Sequence, residues 1–100
     1  MTAADLRELE LYYRALADGS RMRIVRLLAT QGEHSVSHLA QSLKLSQPLM
    51  TWHLRRLVRA GIVRTERVGR EVRCSFDRER FGQLHEGGFR TLMNGTGTGR

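Results

Sequence analysis

The chain has 100 residues, 40% of them apolar, which suits one small globular domain and excludes a disordered chain. Its formal net charge is +7 and its pI about 11.2, a balance that favours a polyanionic partner. No apolar run approaches the roughly 20 residues of a membrane span. The opening MTAADLRELE lacks the basic-then-apolar layout of a signal peptide, and one cysteine, Cys74, cannot form an internal disulfide, so a reducing cytoplasm is the expected location.

In chain order, Leu6, Leu9, Tyr13 and Leu16 recur at helical steps and predict a first helix over residues 3–16. Leu11 and Tyr12 fall off that stripe, so the helix carries more apolar surface than one contact uses, and a second subunit is a natural taker in so small a domain. Asp18 offers an N-cap to a second helix, SRMRIVRLLAT, with Met22, Val25 and Leu28 inward beside Ile24 and Leu27; Gly32 stops it. Val36 reads as a short extended residue and Ser37 as the cap of a brief third helix, HLAQSLKL. Ser46 caps a fourth, in which Pro48 is tolerated because first-turn amides need no helical partner.

After Gly61 the apolar period changes from 3.6 to 2, and IVRTER and REVRCSF read as two strands joined tightly at Val68-Gly69. Val72, Cys74 and Phe76 share one face, which makes Cys74 a core residue rather than a reactive one. Asp77 can cap a last helix holding Phe81, Leu84, Phe89 and Leu92. Gly82, Gly87 and Gly88 weaken it, and whether it continues through Gly87-Gly88 is open. A domain over 1–93 and a disordered tail over 94–100 are expected.

The order is helix, helix, short helix, helix, hairpin, helix. Two helices meeting across the tight LKLS turn, followed at once by a hairpin, make a winged helix-turn-helix: mostly α, five helices plus a wing. The charge sits in the same place. Lys44 to Arg73 holds eight basic residues against Glu66 and Glu71, leaving only about +1 elsewhere. With Met50, Leu54 and Leu57 inward, Pro48, Trp52, Arg55 and Arg59 face outward, flanked by Thr51 and Arg56, with His53 near the core edge. Arg55 is the first choice for a base contact, followed by Gln47 and Thr51, while Arg56 and Ser46 suit phosphates. Arg67, Gly69 and Arg70 at the hairpin tip can enter a minor groove or rest on the backbone. Trp52 could instead pack beneath a loop.

The stretch from Ala15 to Asp77, with its ALADxxRxRIxxLL, LSQPxxxxHLxxLxxAGxV and xGRxVxxxx elements, resembles the ArsR/SmtB family of winged-helix repressors. The resemblance implies a homodimer paired through the first and last helices, here through Leu6, Leu9, Tyr13, Phe81, Leu84 and Leu92. It implies a palindromic operator on double-stranded DNA and release by an inducer. It also supplies a test of metal sensing. Members responding to soft ions place Cys-Val-Cys where this chain has Ser35-Val36-Ser37, and a hydroxyl is a poor substitute for a thiolate. The Asp-x-His pair of zinc- and nickel-responsive members reads Asp77-Arg78-Glu79 here. No metal or other cofactor is therefore expected. His34, His38 and His85 remain as candidates for a non-standard transition-metal site, whose partner could come from the second subunit.

The function expected is a sequence-specific DNA-binding transcriptional regulator, a repressor by resemblance. A metal-responsive repressor using those histidines is one alternative. A winged-helix protein-interaction module anchored by Trp52 and Tyr12 is another, from a different class. No nucleophile–base pair, phosphate loop or paired carboxylates suggest an enzyme.

Overall fold

The computed structural model describes residues 5–94. The first residues of the expected domain and the tail from residue 95 onward fall outside the described residues. Capping side chains set most of the boundaries. The Asp5 carboxylate accepts the Glu8 N–H at 2.8 Å to open α1 (Leu6–Leu16), and Asp18 accepts the Arg21 N–H at 3.0 Å to open α2 (Gly19–Gln31). A two-residue strand β1 (His34–Ser35) leads into α3 (Val36–Leu43), whose cap is Ser35, with its hydroxyl accepting the His38 N–H at 3.1 Å. The expected cap at Ser37 and the extended Val36 are thus corrected by two residues. The reason is tertiary: β1 pairs with the wing, His34 opposite Cys74 and Ser35 opposite Arg73, and this fixes where extended chain ends.

Lys44, left-handed at φ 58°, turns the chain sharply after α3, and Ser46 caps α4 (Gln47–Arg59) by accepting the Leu49 N–H at 3.3 Å. Strands β2 (Val63–Val68) and β3 (Glu71–Phe76) follow, and Asp77 caps α5 (Arg78–Asn94) through the Arg80 N–H at 3.0 Å. The hairpin turn is Gly69-Arg70, one residue later than expected, with Gly69 at φ 64° as a two-residue type II′ loop requires. The sheet has three antiparallel strands in the order β1-β3-β2.

The core gathers Leu9, Tyr12 and Ala15 of α1; Ile24, Val25 and Leu28 of α2; Leu39 and Ala40 of α3; Met50, Leu54 and Leu57 of α4; and Leu84 of α5. Ile62, Val63 and Cys74 close it from the sheet side. Three expectations change. Tyr12, not Tyr13, is the buried tyrosine of α1. Met22 is exposed and Arg21 takes its place in the interior. Leu9 and Leu84, expected at a subunit interface, are consumed by the chain's own core, leaving Leu6, Tyr13 and Leu92 exposed and Phe81 partly buried.

The last helix runs unbroken through Gly87 and Gly88, both buried. A Cβ on Gly88 would lie 2.7 Å from Leu9 Cδ2 and 3.0 Å from the Tyr13 hydroxyl, so the missing side chain is what lets α5 lie close on α1. The Glu8–Arg80 ion pair at 3.1 Å joins the same two helices. Gly82, by contrast, has open space around its would-be Cβ. Gly82→Ala should therefore stabilise the fold by about 1 kcal/mol through helix propensity alone. Gly88→Ala makes the same propensity gain but forces overpacking costing about 1–3 kcal/mol, and should melt below the parent. Thermal unfolding of the two variants side by side checks the contrast.

Candidate nucleic-acid interface

The sequence places a mixed face on α4, and the fold decides which of its groups reach solvent. Trp52 is 45% exposed, and the Arg56 guanidinium lies 3.6 Å over its ring, a cation–π contact that keeps both groups at the surface. Arg55 and Arg59 are exposed and make no hydrogen bond or ion pair with another described residue. Pro48 sits in the first turn. Gln47 is partly committed, since its amide donates to the Ser37 hydroxyl at 2.7 Å and ties α4 to α3. Between α3, α4 and the wing lies a cleft of about 430 Å³ whose lining includes Gln47, Thr51, Arg55 and, from the hairpin turn, Arg70. Trp52 and Pro48 line a separate shallow hollow with Gln47, Thr51 and Arg55. Arg67 and Gly69 stand exposed at the wing's end.

His53 does not join that surface, contrary to expectation. It is 5% exposed and its Nδ1 lies 3.0 Å from an Arg21 terminal nitrogen. Guanidinium can only donate, so Nδ1 accepts and the ring proton sits on Nε2. Arg21 also donates from Nε to the Ala15 carbonyl at 2.7 Å and from its other terminal nitrogen to the Arg14 carbonyl at 3.5 Å. One buried guanidinium thus holds the carboxyl end of α1, the first turn of α2 and the middle of α4. A signal for both residues is present in the spacing. Arg21, Ile24, Val25 and Leu28 form an i, i+3, i+4, i+7 quartet, and so do Met50, His53, Leu54 and Leu57. Polarity hides the pattern.

The wing is positioned by ion pairs that use part of the basic stretch. Arg73 reaches Glu33 at 2.7 Å and Glu71 at 3.0 Å, and these two carboxylates hold its guanidinium above the usual range. Arg64 lies 3.7 Å from Asp77. Cys74 is fully buried beneath β3, and burial pushes its thiol up to about 11, so it is protonated and unreactive at neutral pH.

The Ser35-Val36-Ser37 stretch at the start of α3 holds two hydroxyls already in use: Ser35 accepts from the His38 amide and Ser37 from Gln47. Hydroxyls so engaged do not fit a soft ion. His34 and His38 do come together, with ring centroids 4.9 Å apart. But the rings are stacked at an interplanar angle of 10°, and the His34 Nδ1–H donates to the Gly32 carbonyl at 2.7 Å. Imidazole lone pairs lie in the ring plane, so parallel stacked rings do not aim at one ion about 2 Å from each. His85 sits instead against Tyr12, its Nδ1 3.5 Å from the hydroxyl. Among the described residues no three His, Cys, Asp or Glu side chains cluster as a metal site.

The Arg21–His53 pair makes stability depend on pH. Burial holds His53 below the ordinary imidazole range; Arg21 and Arg56 push the same way and Asp18 opposes them. The unfolded chain takes up this proton near pH 6.5. Below that pH the unfolded state therefore binds more protons, and stability falls, by at most about 1.4 kcal/mol per pH unit, until the folded ring is also protonated. His53→Gln keeps an acceptor for Arg21 and removes the titration. Urea unfolding at pH 7.5 and 5.5 should show a smaller loss of stability on acidification in His53→Gln than in the parent.

Comparison with known proteins agrees with this geometry. A family model described as "Helix-turn-helix domain" matches residues 16–66. The chain is 40% identical over 62 residues to the arsenic resistance transcriptional regulator ArsR1 of Pseudomonas putida, covering 62% of this chain and 48% of that protein. It is 44% identical over 59 residues to the HTH-type transcriptional repressor SmtB of Mycobacterium tuberculosis, covering 59% and 43%. The matched region thus spans about half the length of these curated relatives. The crystal structure of an ArsR family transcriptional regulator superposes with a TM-score of 0.76 at 25% identity, covering 99% of each chain. A capped α3–turn–α4 unit, a wing directly after it and these relatives converge, and the chain belongs to the helix-turn-helix family, with the winged fold of ArsR/SmtB-type proteins.

Proposed function

We propose that the protein is a sequence-specific DNA-binding transcriptional regulator, a repressor that grips a palindromic operator as a homodimer in the cytoplasm, and that it is not an enzyme. The observation that carries this reading is Arg55 and Arg59, exposed on one face of α4 and unpaired among the described residues, with Arg55 bordering a cleft whose far wall includes the wing residue Arg70. An α-helix fits the major groove, which is about 12 Å wide, and a guanidinium there pairs with two guanine acceptors at once. Arg55 is the base reader in this scheme, with Thr51 beside it. Ser46, Arg56 and Arg59 meet phosphates, and Arg67 and Arg70 follow the backbone or minor groove from the wing.

Dimerisation is supported by what α1 and α5 leave uncovered. Leu6, Tyr13, Phe89, Leu92 and Met93 are all exposed, and Tyr13, Phe89, Leu92 and Met93 border a hollow of about 460 Å³ with His85. Apolar surface of this kind marks an interaction site on a small soluble domain.

Selection of bound sites from random duplexes should return a palindrome with half-sites about one helical turn apart. If no sequence is enriched over random DNA at moderate salt, the reading fails. Arg55→Ala should weaken binding to the selected site by about 1–3 kcal/mol and relax preference at one base pair per half-site. Leu92→Glu should shift the protein to monomer in sedimentation equilibrium without lowering its unfolding cooperativity. Leu84→Ala, inside the core, should instead cost about 2–5 kcal/mol of stability.

A further inference from the structure

The recognition helix stands as a ridge between two troughs. One is the wing-side cleft that Arg70 borders. On the other side a second groove, of about 560 Å³, runs between α4 and α1 and is flanked by Arg7, Glu10 and Arg14 from α1 and Arg55, Arg56 and Arg59 from α4. Arg55 borders both troughs and so marks the crest. Six arginines, the buried Arg21 among them, around one carboxylate is an unbalanced set. Glu10 offsets only Arg14, at 2.6 Å, and Arg7 makes no hydrogen bond or ion pair with another described residue.

A fold that collects like charges on one groove bears their mutual repulsion unless an anion offsets it. A duplex seated on the crest has the matching shape. The major groove is bordered by two phosphate backbones, and a helix that enters it places one backbone on each side of itself. The wing-side cleft, with Arg70, receives one. We infer that the α1–α4 groove receives the other, and that Arg7 and Arg14 of the first helix are phosphate contacts that extend the DNA interface beyond the helix-turn-helix and its wing.

The placement on α1 permits this alongside dimer pairing. At about 100° per residue, Arg7 and Arg14 lie within 20° or so of one another. Leu6 and Tyr13, the exposed apolar pair, lie roughly 100° away from them, and the buried Leu9 and Tyr12 occupy the far side. The three faces of α1 are distinct: core, subunit and anion. Both arginines are exposed, two helical turns apart, and neither side chain holds the fold together.

The inference rests on the DNA-binding reading above, and the experiment separates the two. Affinity of the full chain for its selected duplex and for a scrambled one is measured across a salt series, for the parent, Arg7→Gln/Arg14→Gln and Glu10→Gln, with circular dichroism checking that each melts as the parent does. Removing one phosphate contact should flatten the slope of log affinity against log salt by about 1 per bound protomer. The double variant should therefore weaken on both duplexes alike, with a shallower slope and an unchanged ratio between them. Glu10→Gln should bind both more tightly. If the double variant keeps the parent's affinity and slope while Arg59→Gln loses them, the α1 contact is refuted and the regulator reading stands. If the ratio between duplexes changes, the arginines read bases and the phosphate assignment is refuted. If the parent itself does not distinguish the two duplexes, both readings fall.

Discussion

Arg21 carries a full positive charge into the interior, and the arrangement of the helices follows from how that charge is satisfied. Removing a guanidinium from water costs several kcal/mol unless its donors are met. Among the described residues no carboxylate is hydrogen-bonded to it. Its donors go to the Ala15 and Arg14 carbonyls and to His53 Nδ1. The two carbonyls belong to the last turn of α1, where backbone acceptors run short of helical partners and the helix dipole favours a cation; the Arg14 carbonyl also accepts the Ala17 N–H at 3.3 Å. Asp18 adds nearby negative charge while it caps α2. Lysine could not reproduce this set, because its three donors radiate from a point rather than lying in a planar fork.

The consequence reaches the surface through one residue. His53 is the inward neighbour of Trp52, and their rings meet edge to face with centroids 5.0 Å apart. Trp52 in turn meets two guanidinium groups, Arg21 5.7 Å from its ring and Arg56 at 3.6 Å. The buried pair thus fixes the rotation of α4 about its own axis, and with it the direction in which Thr51, Arg55 and Arg59 point. A recognition helix needs that constraint: a turn of one residue, about 100°, would exchange its outward arginines for its core leucines.

Much of this is legible in the sequence, for local reasons. Asp18, Ser46 and Asp77 cap helices through bonds to residues three positions on, and Gly69 permits a turn that few other residues allow, so four or five letters suffice to read each. The outward set Trp52, Arg55 and Arg59 follows from helical period. The features that the sequence hides depend on distant contacts or on polarity. Ser35 rather than Ser37 caps α3 because β1 pairs with a strand some 40 residues further along, and no local pattern encodes that pairing. Gly87 and Gly88 look like helix breakers until the approach of Leu9 and Tyr13 gives Gly88 a reason to be small. Arg21 and His53 occupy core positions by spacing, yet a charge and an imidazole argue against burial when each is considered alone. Only as a pair do they belong inside.

The same distinction separates the arginines by role. Those tied to another part of the fold build the scaffold: Arg21 inside, Arg64 on Asp77, Arg73 on Glu33 and Glu71, Arg80 on Glu8, and Arg78 on the Ala29 carbonyl, whereas Arg14 pairs only within its own helix. Arg56 is held by an aromatic face and can still meet an anion from its other side. Among the arginines with none of these ties to described residues, Arg7, Arg55 and Arg59 gather on α4 and the groove beside it and Arg67 and Arg70 on the wing, while Arg26 on α2 and Arg90 on α5 stand apart. A basic pI alone says that some polyanion suits this surface. Setting aside the charges that hold the fold together says where it would lie, since a charge with no structural partner adds nothing to the fold and is free to attract a partner that neutralises it.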